Sequence, residues 1–270
     1  MRTVFPLLSR IIMLRLVISL DRKINRWETV EKQFLSQGIE VQRVSAVDAQ
    51  NDKIPWNLVV PLGSFEKVYS PMELSGPEIC CYLSHIKCWE QLLSSGERWA
   101  AIFEDDILLS SRAKDFLLTH DWIPEGIHIL QLHTSKKEEL RRTLPKGIPV
   151  TDKAKIFRII KPSVGTCGYL IDRTAAKKAL ELSKKIAVPV DEFLFNFKSP
   201  FTALFPTRGL NPACVFHNFR QFPSTIESIR KNNKRLTPPW HRLHPVWLFL
   251  SAKENLFKKI LGVDTIFTWE

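Results

Sequence analysis

WAAIFEDDILL, residues 99–109, is the stretch whose reading decides the fold. Trp99 to Phe103 form a short unbroken apolar run, which suits a strand buried on both faces of a parallel sheet. The run leads straight into Glu104, Asp105 and Asp106, and Ile107, Leu108 and Leu109 then restore it. Three adjacent carboxylates repel one another and are costly to desolvate. They are tolerable where a strand emerges from its sheet and a cation shares their charge. In extended chain Glu104 and Asp106 share a face while Asp105 points away. Hard oxygen ligands at that spacing suit Mg²⁺ or Mn²⁺ carrying phosphate oxygens. The plainer reading is a solvated acidic loop, and the flanking sequence has to choose between the two.

Upstream, Leu14 to Leu20 reads as a buried strand. A helix follows to about Gln37, with Trp27, Val30 and Phe34 on one stripe and Gly38 as its stop. Val41 to Val47 alternates as a second strand ending near Asp48. Strand, helix, strand at this spacing is a crossover pattern, so the expected class is α/β: a single domain with a mostly parallel central sheet flanked by helices. Ligands of such sheets bind beyond the carboxyl ends of the strands. That places Ser19 to Arg22, Ala46 to Asp48 and Glu104 to Asp106 along one edge.

Residues 49–76 carry several breakers and read as an excursion or lid without core. In PEICCYLSHIKCWEQLLSSG, residues 77–96, Ile79, Leu83, Ile86 and Leu93 make an apolar helical arc. Glu78 and His85 project together at its border. Glu78 has a simple reading as a first-turn acid favoured by the helix dipole, and His85 one as a structural imidazole. Beyond the acidic stretch, His128 to His133, Phe157 to Ile160 and GTCGYLID (165–172) suggest further strands. Residues 135–155 read as a charged solvent loop. Asp172 or Thr174 is placed to cap the next helix. In VPVDEFLFNF, residues 188–197, Asp191 and Glu192 stand between apolar residues, as a partly buried carboxylate or as the cap of a short helix.

Composition sets the outer bounds. At 270 residues, 44% hydrophobic and 25% charged, the chain is globular. Five cysteines without metal-type pairing indicate a reducing compartment and no disulfide framework. The net charge is +11, and residues 208–260 hold ten lysines and arginines against two acids. No zinc-finger, helix-turn-helix or aromatic RNA-binding signature accompanies this charge, so nucleic acid is not an expected partner. The tail PPWHRLHPVWLFLSAKENLFKKILG, from Pro238, has the pattern of a basic amphipathic helix able to meet an anionic membrane surface. Residues 1–13 are assigned to an N-terminal extension, 14–235 to the domain and 236–270 to the basic tail. MRTVFPLLSRIIMLRLVISL is too interrupted for a membrane span and lacks a clear cleavage site, so the expected location is cytoplasmic, with the basic tail able to touch a membrane's inner face.

Six segments in order, VISLDRKINRW, GIEVQRVSAVD, PEICCYLSHIKCWE, IFEDDI, GTCGYLIDRTAA and PVDEF, together resemble glycosyltransferase family 25 over roughly residues 14–230. The resemblance implies a GT-A fold and a metal-dependent, inverting transfer of galactose or glucose. The donor would be a UDP-hexose and the acceptor a lipid-linked oligosaccharide of lipooligosaccharide or lipopolysaccharide assembly. Mn²⁺, or Mg²⁺, would sit on Asp106 with Glu104 as helper. The matching segments place the donor against Ser19, Leu20, Asp21, Arg22 and Arg26, then Ala46 and Asp48, then Glu78 and Ser84. Glu104 and Asp105 would touch it from the acidic stretch, and Gly165 and Thr166 from the glycine-containing segment. The family usually has Gly where this chain has Cys80, which implies a packing change there. An acceptor hydroxyl needs a base within hydrogen-bond reach; Asp191 is the first candidate, with Glu192 and His85 behind it. A metal-dependent phosphohydrolase and a non-catalytic membrane-surface protein are the rival readings.

Overall fold

A computed structural model of the chain describes residues 13–60, 73–160, 165–218, 221, 256 and 261–269. Its first strand, β1 (Leu14–Ser19), buries Leu16 and Ile18 towards one side and Val17 towards the other. Helix α1 (Ile24–Ser36) buries Val30 and Phe34, one turn apart. It stops at Gly38, whose φ of 70° suits a residue without a Cβ. The Ile39 N–H then donates back to the Phe34 carbonyl at 3.0 Å, closing the helix end as a Schellman motif does. Strand β2 (Gln42–Ser45) returns parallel to β1. Helix α2 (Gly76–Ser94) opens with Pro77 and a Ser75–Glu78 capping box.

Strand β3 (Trp99–Glu104) ends at the first acid, and β4 (Ile107–Leu109) starts after the third. Then come α3 (Lys114–Leu117), β5 (Ile129–Gln131), β6 (His133–Thr134), β7 (Glu138–Thr143), β8 (Ile148–Pro149) and β9 (Lys155–Arg158). Strand β10 (Gly168–Asp172) runs into α4 (Arg173–Leu182), where Asp172 caps by accepting from Ala175 N–H at 2.8 Å. The described chain closes with α5 (Val190–Phe195), α6 (Pro200–Leu204), β11 (Arg208–Asn211), β12 (Val215–His217) and β13 (Val263–Thr268).

The main sheet has the order β2-β1-β3-β10-β5-β11-β9-β8. One core layer joins it to α2, α4, α5 and α6, with Tyr82, Trp89 and Phe193 among its residues. The opposite layer joins it to α1 and α3 through Phe34, Phe103 and Phe116. The α/β class therefore holds, but the sheet is mixed and not mostly parallel. β1 is parallel to both neighbours and β5 to β11, whereas β10 opposes both β3 and β5, and β9 opposes β11 and β8. An unbroken apolar run suits any strand covered on both faces and carries no direction, so the sequence pattern could not distinguish the two.

Four further expectations change. Met13, assigned to the extension, is fully buried in the core. Residues 49–76 do contribute core: Val60 and Leu74 are buried, and Val60 N–H bonds the Ile186 carbonyl at 2.9 Å. The charged stretch 135–155 forms β7 and β8 where a solvent loop was expected. In the basic tail, residues 263–268 are a strand paired antiparallel to β7; most of the amphipathic pattern before it lies outside the described residues. Arg141 explains why charge misled here, since it is buried against the Phe267 ring at 4.7 Å and pairs Glu139 at 3.1 Å. No described helix is long and apolar enough to cross a membrane.

Candidate active site

The carboxyl ends of β1, β2 and β3 and one side of α2 enclose a cleft of about 390 Å³, within the size range of small-molecule sites. Ser19, Leu20, Arg22 and Arg26 line it from the first segment, Ala46 and Asp48 from the second, and Ser84 and His85 from α2. All three acids, Glu104, Asp105 and Asp106, line it as well. The expected strand-edge site is thus assembled. Gly76, Pro77, Cys80 and Cys81, none of them expected in the site, complete the wall from α2.

Each acid is supported by a different part of the chain. Asp105 was expected to point away, but β3 ends at Glu104 and the chain bends at 105–106, so strand alternation no longer applies. Asp105 accepts from Ser19 Oγ at 2.7 Å and lies 3.4 Å from Arg26 Nη1. Burial and the neighbouring Asp106 raise its carboxyl pKa against the pull of Ser19 and Arg26. Glu104 accepts from Thr166 Oγ1 at 2.6 Å and faces His85 Nε2 at 3.8 Å. Burial opposes its ionisation, yet His85, Thr166 and His217 outweigh that and hold it below the usual carboxylate range. Asp106 lies 3.3 Å from His217 Nε2 through Oδ2, while its Oδ1 is buried without a hydrogen-bond partner. His217 reaches it from β12, whose register sets His217 against Ile107. Nothing in the sequence around His217 signals this meeting.

On the first-segment wall, Arg22 Nε contacts Asp48 at 2.6 Å and keeps its carboxyl below the ordinary range. Ser84 Oγ accepts from Val47 N–H at 2.9 Å and donates to the Cys80 carbonyl at 2.7 Å, tying α2 to the end of β2.

His85 is fully buried, and a polar chain holds its ring. Trp89 Nε1 can only donate, and it donates to Tyr169 Oη at 3.0 Å. Tyr169 Oη lies 2.9 Å from His85 Nδ1, and the imidazole tautomer decides which of the two donates. The potential ligand atoms of Cys81, His85 and Glu104 lie within 4.8 Å of one another.

Other expected site residues stand elsewhere. Asp21 is exposed and bonds Arg43 and Ser45 at 2.7 and 2.8 Å, on the outer side of β2. Glu78 does not line the cleft; it accepts from the Ser75 N–H and hydroxyl, both at 2.9 Å, so its first-turn capping role is the one observed. Gly165 and Thr166 sit behind Glu104, reaching it through the Thr166 hydroxyl. Asp191 lies in the first turn of α5, whose N-cap is Pro189. It is buried and accepts from Gly165 N–H at 3.2 Å and Glu192 N–H at 3.0 Å. Glu192 is bonded by the Asn196 side chain. Asp191 thus anchors the segment that carries Thr166 to Glu104.

The family model described as "Glycosyltransferase family 25 (LPS biosynthesis protein)" matches residues 13–194. The chain belongs to glycosyltransferase family 25. Its members among curated proteins include the lacto-N-neotetraose biosynthesis glycosyltransferase LgtB of Neisseria gonorrhoeae, 30% identical over 177 residues, covering 60% of this chain and 62% of that one. The lipooligosaccharide biosynthesis protein lic2B of Haemophilus influenzae is 26% identical over 189 residues, covering 67% and 68%. This chain therefore spans somewhat under two thirds of the gonococcal family member's length. A solved glycosyltransferase involved in glycosylation of the major capsid of PBCV-1 aligns with a TM-score of 0.43 at 9% identity, over 82% of this chain and 98% of that one. The family match ends at Leu194 and so includes the cleft, the acidic stretch and Asp191, but not His217.

Proposed function

We propose that this family member is a metal-dependent, inverting glycosyltransferase that moves galactose or glucose from a UDP-sugar to a growing lipooligosaccharide or lipopolysaccharide acceptor. The observation that carries the reading is the buried Asp106 Oδ1, which has no hydrogen-bond partner and belongs to a residue of the cleft wall. A carboxylate oxygen left this way costs free energy unless a cation meets it. The oxygen-rich donor set of Asp106 and Glu104, with His217 alongside, fits Mn²⁺ or Mg²⁺. When bound, the metal would supply Lewis-acid stabilisation of the charge developing on the departing diphosphate.

The chain's own residues account for the remaining tasks. Arg22 and Arg26 bring positive charge to the cleft wall where an anionic nucleotide would lie. Ser19 and Arg26 hold Asp105, and Thr166 holds Glu104, so the acids meet the donor already oriented. Asp191 is the proposed base for the acceptor hydroxyl; it is buried beside the segment that carries Thr166. The names of the gonococcal and Haemophilus proteins, which refer to lacto-N-neotetraose and lipooligosaccharide biosynthesis, support an envelope oligosaccharide as acceptor. The basic tail supports peripheral contact with the anionic membrane that displays it. Titration of UDP and of UDP-galactose, UDP-glucose, UDP-GlcNAc and UDP-GalNAc by calorimetry, with Mn²⁺ and with EDTA, tests the reading. Tight binding of a UDP-hexose that needs Mn²⁺ and disappears in Asp106→Ala is expected. Equal UDP affinity with and without metal would refute the metal assignment.

A further inference from the structure

Asp106 is held from one side by the end of β12. His217 Nε2 lies 3.3 Å from Asp106 Oδ2, and the Asn218 N–H donates to the Asp106 carbonyl at 2.8 Å. β12 itself has little ladder to hold it. It has three residues and pairs with β4, of three, and β6, of two. A sheet this small depends on its faces being packed. Alternation sends Phe216 to the face opposite His217, and there the Trp269 ring covers Phe216 at a centroid distance of 5.0 Å.

The covering residue is fastened through its own strand. Phe267 of β13 is fully buried, against Phe157 and the Arg141 guanidinium. The Ala213 N–H donates to the Thr268 carbonyl at 2.8 Å. Asn211 brackets the same stretch: its Nδ2 donates to the Ile266 carbonyl at 2.9 Å and its Oδ1 accepts from Thr268 N–H at 3.0 Å. Residues 211–213 lead directly into β12, so these bonds fix the approach to the strand that carries His217. Trp269 Nε1–H is buried with no hydrogen-bond partner among the described residues. The ring of Trp269, and not its N–H, is therefore what the contact uses.

We infer that Trp269, acting through Phe216, and Asn211, acting through the chain that enters β12, are positioning residues for Asp106. This rests on the metal reading of Asp106 and goes beyond it, because it makes β13, outside the matched residues 13–194, part of what orients the cleft. Asp106 stands on the bend between β3 and β4, where no strand ladder fixes its carboxylate. With β13 no longer behind it, β12 shifts from the acid, and His217 and Asn218 shift with it. A strand that only covered the edge of β7 would contribute to stability and leave Asp106 unmoved.

The test measures Mn²⁺ affinity of the full chain without nucleotide, by electron paramagnetic resonance of the free ion. The proteins are wild type, Trp269→Ala, Trp269→Phe, Asn211→Ala and His217→Ala. Trp269→Ala should weaken Mn²⁺ binding about tenfold, the low end of what loss of an outer support costs a metal site. Trp269→Phe keeps a ring on Phe216 and should recover most of the loss. Asn211→Ala, at a partly exposed position, should weaken binding in the same direction. In a His217→Ala background Trp269→Ala should cost much less, because the two residues act in series. Parental affinity in both Trp269→Ala and Asn211→Ala overturns the inference. So does a Trp269→Ala loss that Phe does not recover, or one that is undiminished in the His217→Ala background. Amide exchange reads the same coupling without metal: Trp269→Ala should speed exchange of the Asn218 N–H about tenfold and leave β10 unchanged. Equal acceleration in both places, or none at Asn218, means a structural role and overturns the inference. If wild type binds no Mn²⁺, the metal reading falls, and exchange at Asn218 still decides the positioning.

Discussion

Tyr169→Phe removes one oxygen atom and nothing else from the core, which makes it the cleanest probe of the chain that aims His85 into the cleft. Tyr169, Trp89 and His85 are each fully buried, so water cannot take the place of the lost hydroxyl. The change leaves Trp89 Nε1–H without its acceptor and His85 Nδ1 without its partner, two bonds of 3.0 and 2.9 Å. A buried polar group stripped of its partner costs about 1–3 kcal/mol. The ring contacts with Phe195 and His85 are kept, so no packing loss adds to this. The expected destabilisation is about 3 kcal/mol, measured by urea unfolding followed by circular dichroism. In a His85→Leu background one of the two groups is already absent, and the same substitution should cost about 1–2 kcal/mol less. A loss below about 1 kcal/mol in the wild-type background, or full additivity of the two changes, would refute the hydrogen-bond chain.

Asp191→Asn should lower turnover by about 10²–10⁴-fold, the usual contribution of a general base, while leaving UDP affinity unchanged, because Asn keeps an oxygen to accept from Gly165 N–H. Turnover at the parental rate would exclude Asp191 as the base. Glu139 offers a pH test away from the cleft. Burial raises its carboxyl pKa, but Arg141 and Thr134 outweigh burial and the folded pKa is depressed. Its stabilisation is therefore present above the unfolded glutamate pKa of about 4.3 and lost as pH falls through the lower folded value. Amide protection in β13, corrected for intrinsic exchange, should decline between about pH 4 and the lower folded value, and Arg141→Ala should show the low protection already at neutral pH. Protection that is independent of pH over this range would contradict the pairing.

The first half of the fold was legible because its signals are local. The stripe of Val30 and Phe34, the stop at Gly38 and the Asp172 cap each act within a turn or two of chain, and each is observed. What failed depended on partners far away in sequence. The charges of β7 read as solvated because Arg141 is sheltered by Phe267, which no local pattern reveals. His217 was invisible for the same reason: it meets Asp106 only because β12 pairs with β4. The expected orientation of Asp105 failed on a different ground, since alternation is a property of strands and the strand ends one residue earlier. Glu78 and Asp21 were assigned to the donor from the resemblance of their segments; in the structure Glu78 bonds Ser75 within its own helix start and Asp21 bonds Arg43 and Ser45 on β2.

The three acids also show how a site of this kind can be folded at all. Like charges on consecutive residues would repel in the isolated segment that joins β3 to β4. In the folded chain each acid is relieved by elements from elsewhere in the chain: Asp105 by β1 and α1 through Ser19 and Arg26, Glu104 by α2 and the 165–166 turn through His85 and Thr166, and Asp106 by β12 through His217. β12 serves two of them, since His217 also lowers the Glu104 pKa, and the repulsion is offset only once the sheet neighbours, α2 and β12 are all in place. The acidic stretch therefore couples completion of the cleft to completion of the fold. It also leaves one oxygen, Asp106 Oδ1, that no element of the described chain satisfies, and that is the position from which the proposed metal chemistry follows.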